Sequence, residues 1–153
     1  MREIKLSGDK DDLKWFNIDV ESYEENLVRD MAMMNRSVDS ALEKKLSKEE
    51  IDKWINALET WKNRCETWKV LKKKIANKTS FSLNDDEYRG FVRFLIHEIE
   101  LSGYRIKDFE ERRFSWAEMM LPHEQKNRNM LITLYEHIEG KKYEDNEEEY
   151  LKL

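Results

Sequence analysis

Two pairs of acidic residues have the spacing that a divalent cation requires. Glu21 and Glu24 lie three residues apart, as do Glu49 and Asp52. Residues three apart share one face of a helix, so each pair would present two carboxylates side by side. Magnesium prefers such hard oxygen ligands and leaves positions open for the phosphates of a substrate. The pattern predicts, as one alternative, the metal site of a Mg²⁺-dependent all-α nucleotide pyrophosphohydrolase.

The positions of these pairs along the chain argue against a shared site. Each pair lies near the predicted start of its helix, where acidic residues are also favoured by the helix dipole. A short connection makes the two helices an antiparallel hairpin. At about 1.5 Å per residue, Glu24 would then lie roughly 30 Å from Glu49 along that hairpin.

The histidines and the cysteine complete no catalytic or metal-binding pattern. None of His97, His123 and His137 follows a glutamate by three residues, as a di-iron bundle would require. His97 falls opposite the apolar arc of its predicted helix, so we expect a solvent-facing side chain. Cys65 lies on an apolar stripe, which predicts a buried thiol with a raised pKa. We therefore predict no catalytic residue and no cofactor, and favour a protein that is not an enzyme.

Basic residues cluster at two places that could bind a partner. Lys69, Lys72 and Lys73 come near the end of the predicted second helix, and Arg112 and Arg113 lie among aromatic residues. Cations at a helix C-terminus also complement the helix dipole, and the net charge of −5 would repel phosphates. Direct nucleic-acid binding is therefore not expected. A small helical subunit of a nucleoprotein complex is kept as a third alternative.

Three tryptophans form the most regular pattern in the chain. Trp54, Trp61 and Trp68 recur every seven residues, which places them on one stripe of a helix from about 48 to 77. We call them the tryptophan stripe. Small or pliable residues face Trp54 and Trp61 across the predicted hairpin, so both are expected in the core. Trp68 faces Glu24 and Glu25 instead, and should pack on another helix or on another molecule. It is therefore the apolar candidate for partner binding.

The elements that position these residues are predicted to be helical throughout. One proline and four glycines leave few chain breaks, and apolar residues recur at steps of three and four. Capping signals precede helices at Asp19, Ser47 and Asn84, while Gly103 and Pro122 signal breaks. The fold class is all-α. About five helices form an up-down-like bundle, with a long hairpin of 20–45 and 48–77 and three shorter helices at 84–102, at 105–120 and from about Pro122 to Gly140.

The chain is expected to form a single domain over 1–153. Residues 1–18 should include a short edge strand and dock on the core, and residues 141–153 are predicted to be a mobile acidic tail. No signal peptide or apolar membrane span is visible in the sequence, and a lone cysteine suits a reducing compartment. We therefore predict the cytoplasm of a bacterial or host cell, with no membrane partner.

These observations favour a non-enzymatic protein-binding module. The Lys-, Glu- and Asn-rich composition is typical of an AT-rich genome, so the sequence favours a phage or mobile-element inhibitor of a host defence protein. The acidic net charge predicts a partner that is basic or binds nucleic acid. Self-association through the tryptophan stripe is a further possibility.

Overall fold

The elements of the fold are four long helices and a two-stranded sheet. A computed structural model describes residues 1–111 and 115–144, and all six elements lie within them. Their bounds are β1 Arg2–Lys5, α1 Lys10–Glu43, α2 Lys48–Ile75, β2 Ser80–Leu83, α3 Asp85–Glu111 and α4 Ser115–Glu139. The predicted all-α class is confirmed, with four helices in place of about five.

Helix α1 begins well before the predicted start at Asp19. Asp9 is its N-cap, and a reciprocal capping box joins the side chains and backbones of Asp9 and Asp12. Nothing after Asp12 breaks the helical pattern, so the helix continues through Asp19, which is buried in its interior. Residues 1–18 are therefore β1 and the first turns of α1, with Phe16 buried as expected and Ile18 exposed contrary to expectation.

The predicted long hairpin is confirmed. A four-residue connection after α1 contains Lys45 with a positive φ of 52°, and Ser47 accepts a hydrogen bond from the Glu50 amide to cap α2. Helix α2 then follows the predicted span closely and ends at Ile75. Three lysines occupy its last turn, where their charge complements the helix dipole.

Neither of the two predicted breaks interrupts a helix. Helix α3 begins at the predicted Asn84 cap and continues through Gly103 to Glu111. A Cβ added at Gly103 would lie 3.3 Å from Arg128 Nε of α4, so this glycine permits close helix packing. Pro122 lies inside α4. Packing between α3 and α4 outweighs both local signals, and three predicted helices become two.

Aromatic side chains form the centre of the core. Phe16 of α1 packs edge-on against Phe94 of α3 at 5.7 Å between ring centroids, and Phe81 of β2 packs against Phe91. The antiparallel sheet pairs Ile4 with Phe81 and covers this end of the core. Helix α3 is buried over most of its circumference along its first half, because apolar residues cover well over half of that helix face.

The turn end of the α1/α2 hairpin extends beyond the main core. Val38, Ala41 and Leu58 are buried between α1 and α2, but they do not belong to the core cluster that α3 joins. We call the part of the hairpin from Met33 to Leu58 the arm. Among the described residues, its buried side chains pack between these two helices, and large apolar side chains on its outer faces, such as Met33 and Leu42, are exposed.

Candidate functional site

The tryptophan stripe is covered at one end and open at the other. Trp68 is only 2% exposed, because Tyr23 and Phe94 pack against it at 4.6 and 5.0 Å. It packs on another helix, which was one of its two predicted outcomes, and its ring is not available to a partner. Trp61 is half-buried and lies under the Arg64 guanidinium at 5.0 Å. Trp54 is 37% exposed, so its predicted place in the core is wrong.

An open groove lies beside Trp54 on the arm. Its volume is about 390 Å³. Ser37, Ser40 and Ala41 are its small side chains, and helical spacing places all three on one side of α1. These small residues lie across the groove from Trp54 and are too short to cover the indole. We call this feature the arm groove. The residues that line it are Met33, Arg36, Ser37, Ser40, Ala41, Lys44, Leu46 and Trp54.

The charge at the arm groove is positive. Arg36 and Lys44 are the charged residues that line it, although the chain as a whole carries −5. Arg36 belongs to α1 and Lys44 is the C-cap of that helix, so the two lie eight residues and about 12 Å apart along the helix axis. The two charged side chains of the lining therefore favour an acidic group, in contrast to the basic partner that the net charge predicts.

The three lysines predicted to bind a partner differ from one another in their ion pairs and exposure. Lys72 makes ion pairs with Glu21, at 2.7 Å, and with Glu24, so it joins the two helices of the hairpin. These bonds raise its pKa above the ordinary lysine value, with the Glu21 hydrogen bond as the largest cause. Lys69 pairs with Glu66 one turn earlier and is exposed, as is Lys73. Arg112 and Arg113 lie outside the described residues.

The four carboxylates of the predicted metal site lie at opposite ends of the hairpin. Glu21 and Glu24 bind Lys72, whereas Glu49 and Asp52 lie at the start of α2, about 30 Å from Lys72 along the axis. Within residues 1–111 and 115–144, no three acidic, histidine or cysteine side chains are arranged to hold a metal ion. The Cys65 thiol is buried, and burial raises its pKa as predicted.

A cluster of buried polar residues joins α1, α3 and α4. Asp19, Glu98 and Glu124 are each at most 5% exposed. Asn127 Nδ2 donates to Asp19 Oδ2 at 2.9 Å, and Ser102 Oγ donates to Glu124 Oε1 at 2.8 Å. Burial, followed by the charge of Glu98, raises the pKa of Asp19 to about 7. We call these five residues the buried acid cluster.

Among the three carboxylates of this cluster, Glu98 is the one whose oxygens lack hydrogen bonds from the described residues. Both of its carboxylate oxygens are buried and accept no hydrogen bond from the described residues. The basic group beside it is the His97 ring, whose Nδ1 lies 3.4 Å from Glu98 Oε1. His97 is itself half-buried and packs on Tyr23 at 5.2 Å, which corrects the prediction of a solvent-facing side chain.

The buried acid cluster was not predicted, although the sequence carries a signal for it. Asp19 lies between Phe16, Val20 and Tyr23 on the apolar face of α1, at helical spacing. Glu98 likewise falls beside Leu95 and Ile99. Acidic residues at positions whose helical neighbours are all apolar indicate buried carboxylates.

A larger groove, of about 550 Å³, lies between β1 and α4. Leu6, Met130 and Leu134 form its apolar part. Its lining carries both Lys126 and Asp12, which lie 3.4 Å apart in an ion pair. Because charges of both signs meet there, this groove favours no one class of ligand.

Comparison of the chain with models of protein families, with curated proteins and with solved structures finds no match. Among the helices of the described residues, none combines the length and the apolar character that crossing a membrane would require.

Proposed function

We propose that the protein is a non-enzymatic protein-binding module whose interaction surface is the arm groove. The observation that carries the proposal is Trp54, a large aromatic side chain left 37% exposed beside an open groove. Tryptophan is among the residues that most often anchor protein interfaces. Its ring lies at the end of the tryptophan stripe that no other helix of the described residues covers.

Further apolar side chains on the arm support the same function. Met33 and Leu42 of α1 are more than half exposed, and Ile55 of α2 is 39% exposed. Covering such surface contributes roughly 25 cal/mol for each Å² removed from water. Because these residues lie on two packed helices, little order has to be gained on binding.

The alternative functions have weaker support. The nucleotide pyrophosphohydrolase requires four carboxylates in one site, and its candidates lie at two ends of a hairpin, with one pair bound to Lys72. The nucleoprotein subunit relies on Lys69, Lys72 and Lys73, of which Lys72 is held in ion pairs. A role as a phage or mobile-element inhibitor stays a prediction within the protein-binding class.

Site-specific photo-crosslinking in the source cell tests the proposal. A benzophenone amino acid replaces Met33 at the arm groove or, as a matched control, Val70, which is 57% exposed at the other end of α2 beside the lysines. We expect one discrete adduct with another protein from position 33, lost when Trp54→Ala is added, and none from position 70.

Two outcomes would contradict this proposal. The first is the same set of adducts, or none, from both positions. The second is Mg²⁺-dependent turnover of a nucleotide by the purified protein that Glu24→Ala abolishes, since that result would favour the enzyme. Circular dichroism of each variant shows whether its helices are intact.

A further inference from the structure

We infer that the arm groove accepts one helix of a partner protein, with a large apolar residue facing Trp54 and acidic residues facing Arg36 and Lys44. The inference rests on the proposed function and names the chemistry of the partner.

The helical form of the partner follows from the covered end of the tryptophan stripe. Trp54 and Trp68 occupy the same stripe of α2, about 21 Å apart along the axis. At the Trp68 end, helix α3 packs on the α1/α2 hairpin and presses Phe94 against the indole. The same pair of helices continues to the Trp54 end, where no third helix of the described residues follows. A helix from a partner would complete there the packing that α3 provides at the other end.

The small residues of the arm groove explain why an apolar side chain should enter. Ser37, Ser40 and Ala41 leave space between α1 and Trp54, and the half-exposed Met33 lines the same space. A partner side chain placed there would contact the indole and the methionine together. Methionine adapts its shape to such a contact because its side chain is unbranched and flexible.

The charges of the partner follow from Arg36 and Lys44. Their spacing of about 12 Å along α1 exceeds two helical turns, so the two cations flank an inserted side chain on both sides. A carboxylate can form two parallel hydrogen bonds with the guanidinium of Arg36. A partner helix with acidic residues on either side of its apolar residue therefore matches both the shape and the charge.

A second copy of this chain fits the arm groove less well. In a two-fold dimer the same patch of both copies meets itself, which would bring the Arg36 and Lys44 of one copy toward those of the other. Like charges held close together in an interface oppose association. A partner of opposite charge is favoured on this ground.

Two synthetic helical peptides test the inference on the full-length protein. Both carry the same apolar face with a central phenylalanine, and they differ only in flanking glutamates or flanking lysines. The protein is labelled with 5-fluorotryptophan, and the ¹⁹F signal of Trp54 is assigned from Trp54→Phe. We expect the acidic peptide to shift the Trp54 signal but not the Trp68 signal, with an affinity about tenfold higher than that of the lysine peptide.

Charge reversal at the groove supplies the control. Arg36→Glu combined with Lys44→Glu should reverse the preference between the two peptides. Lys69→Glu combined with Lys73→Glu makes the same change in net charge at the other end of α2 and should leave the preference unchanged. Equal affinity for both peptides, or a preference that both double variants alter alike, would overturn the inference.

Other results separate this inference from the proposed function. If position 33 gives a specific crosslink but the two peptides bind equally, the inference is wrong and the proposed function is still supported. A Trp54 signal that shifts with protein concentration alone, with dimers in sedimentation, would identify a second copy as the occupant and overturn the inference. The absence of both a crosslink and peptide binding contradicts both proposals.

Discussion

At the scale of single residues, the buried acid cluster is the least expected feature. Three carboxylates lie in one apolar junction. Asn127 and Ser102 donate hydrogen bonds to Asp19 and Glu124, and the partly exposed Arg105 guanidinium lies 3.6 Å from Glu124 Oε1. Burying charge without full compensation is unfavourable, so the protonated form of Asp19 is favoured. The groups that act on it come from all three helices, with Glu98 from α3 and Glu124 from α4 as the negative charges.

The raised pKa of Asp19 predicts that stability falls as the pH rises. The folded carboxyl has a pKa of about 7 against an ordinary value of 3.8, so the folded state binds the proton more tightly. Its contribution is fully present below about pH 4 and is lost progressively as the pH rises through 7. We expect urea unfolding to give a free energy of unfolding lower by a few kcal/mol at pH 8 than at pH 5, at roughly 1.4 kcal/mol per pKa unit.

Asp19→Asn is the variant that isolates this effect. It should remove most of the difference between pH 5 and pH 8, while Asp39→Asn, an exposed change on the same helix, should leave it in place. An undiminished pH dependence in Asp19→Asn would show that another group is responsible.

At the scale of elements, α2 combines a covered end and an open end on one stripe. Its sequence pattern is uniform, because Trp54, Trp61 and Trp68 recur at one spacing. Their environments differ because α3 reaches only one part of the helix. Near the covered end Lys72 is held by α1 carboxylates, whereas Arg36 and Lys44 line the open groove at the other end.

The two ends of the stripe predict opposite consequences for the same substitution. Trp68→Ala removes a ring packed against Tyr23 and Phe94 and should lower the free energy of unfolding by roughly 3–5 kcal/mol. Trp54→Ala should lower it by less, because 37% of that side chain is already exposed to water. Denaturant unfolding of both variants measures the difference, and equal losses would contradict the arrangement of α3. From sequence, Trp54 was expected in the core and Trp68 against another helix or another molecule, so the exposure of Trp54 is what the structure corrects.

At the scale of the whole molecule, the protein is two helical hairpins that share a core at one end. The α1/α2 hairpin packs with α3, α4 and the small sheet around Phe16, Tyr23 and Phe94. Beyond that core the arm consists of two helices alone. Two helices bury less apolar surface than a bundle, so opening of the arm should require less free energy than opening of the core.

Amide hydrogen exchange should therefore be faster in the arm than in the core. Backbone amides of 33–43 and 48–58 are expected to exchange well before those of 91–99 in α3, since the latter segment is buried on nearly all sides. Mass spectrometry of exchanged peptides at neutral pH measures this. A helical partner bound at the arm groove should slow exchange in the arm and leave that in α3 unchanged. Equal protection of arm and core in the unbound protein would contradict the two-helix description of the arm.

Prediction from sequence was reliable where the cause is local. The bounds of α2, the hairpin and the Asn84 cap were predictable because capping residues and apolar spacing act within one helix or its turn. The burial of Cys65 followed from the same spacing. The breaks at Gly103 and Pro122 were wrong because contacts between α3 and α4 outweigh local propensity, and propensity is only a weak influence in a packed helix.

The sequence by itself determined that this chain is all-helical, that its longest helices form a hairpin and that three tryptophans share one stripe. Only the tertiary structure decided which of those tryptophans is buried: Trp68 is buried and Trp54 is exposed. The physical reason is that periodicity reports which face of a helix is apolar, whereas burial depends on where along that face a neighbouring helix lies. The arm groove exists because α3 covers the hairpin at its base and leaves the end with Trp54 open.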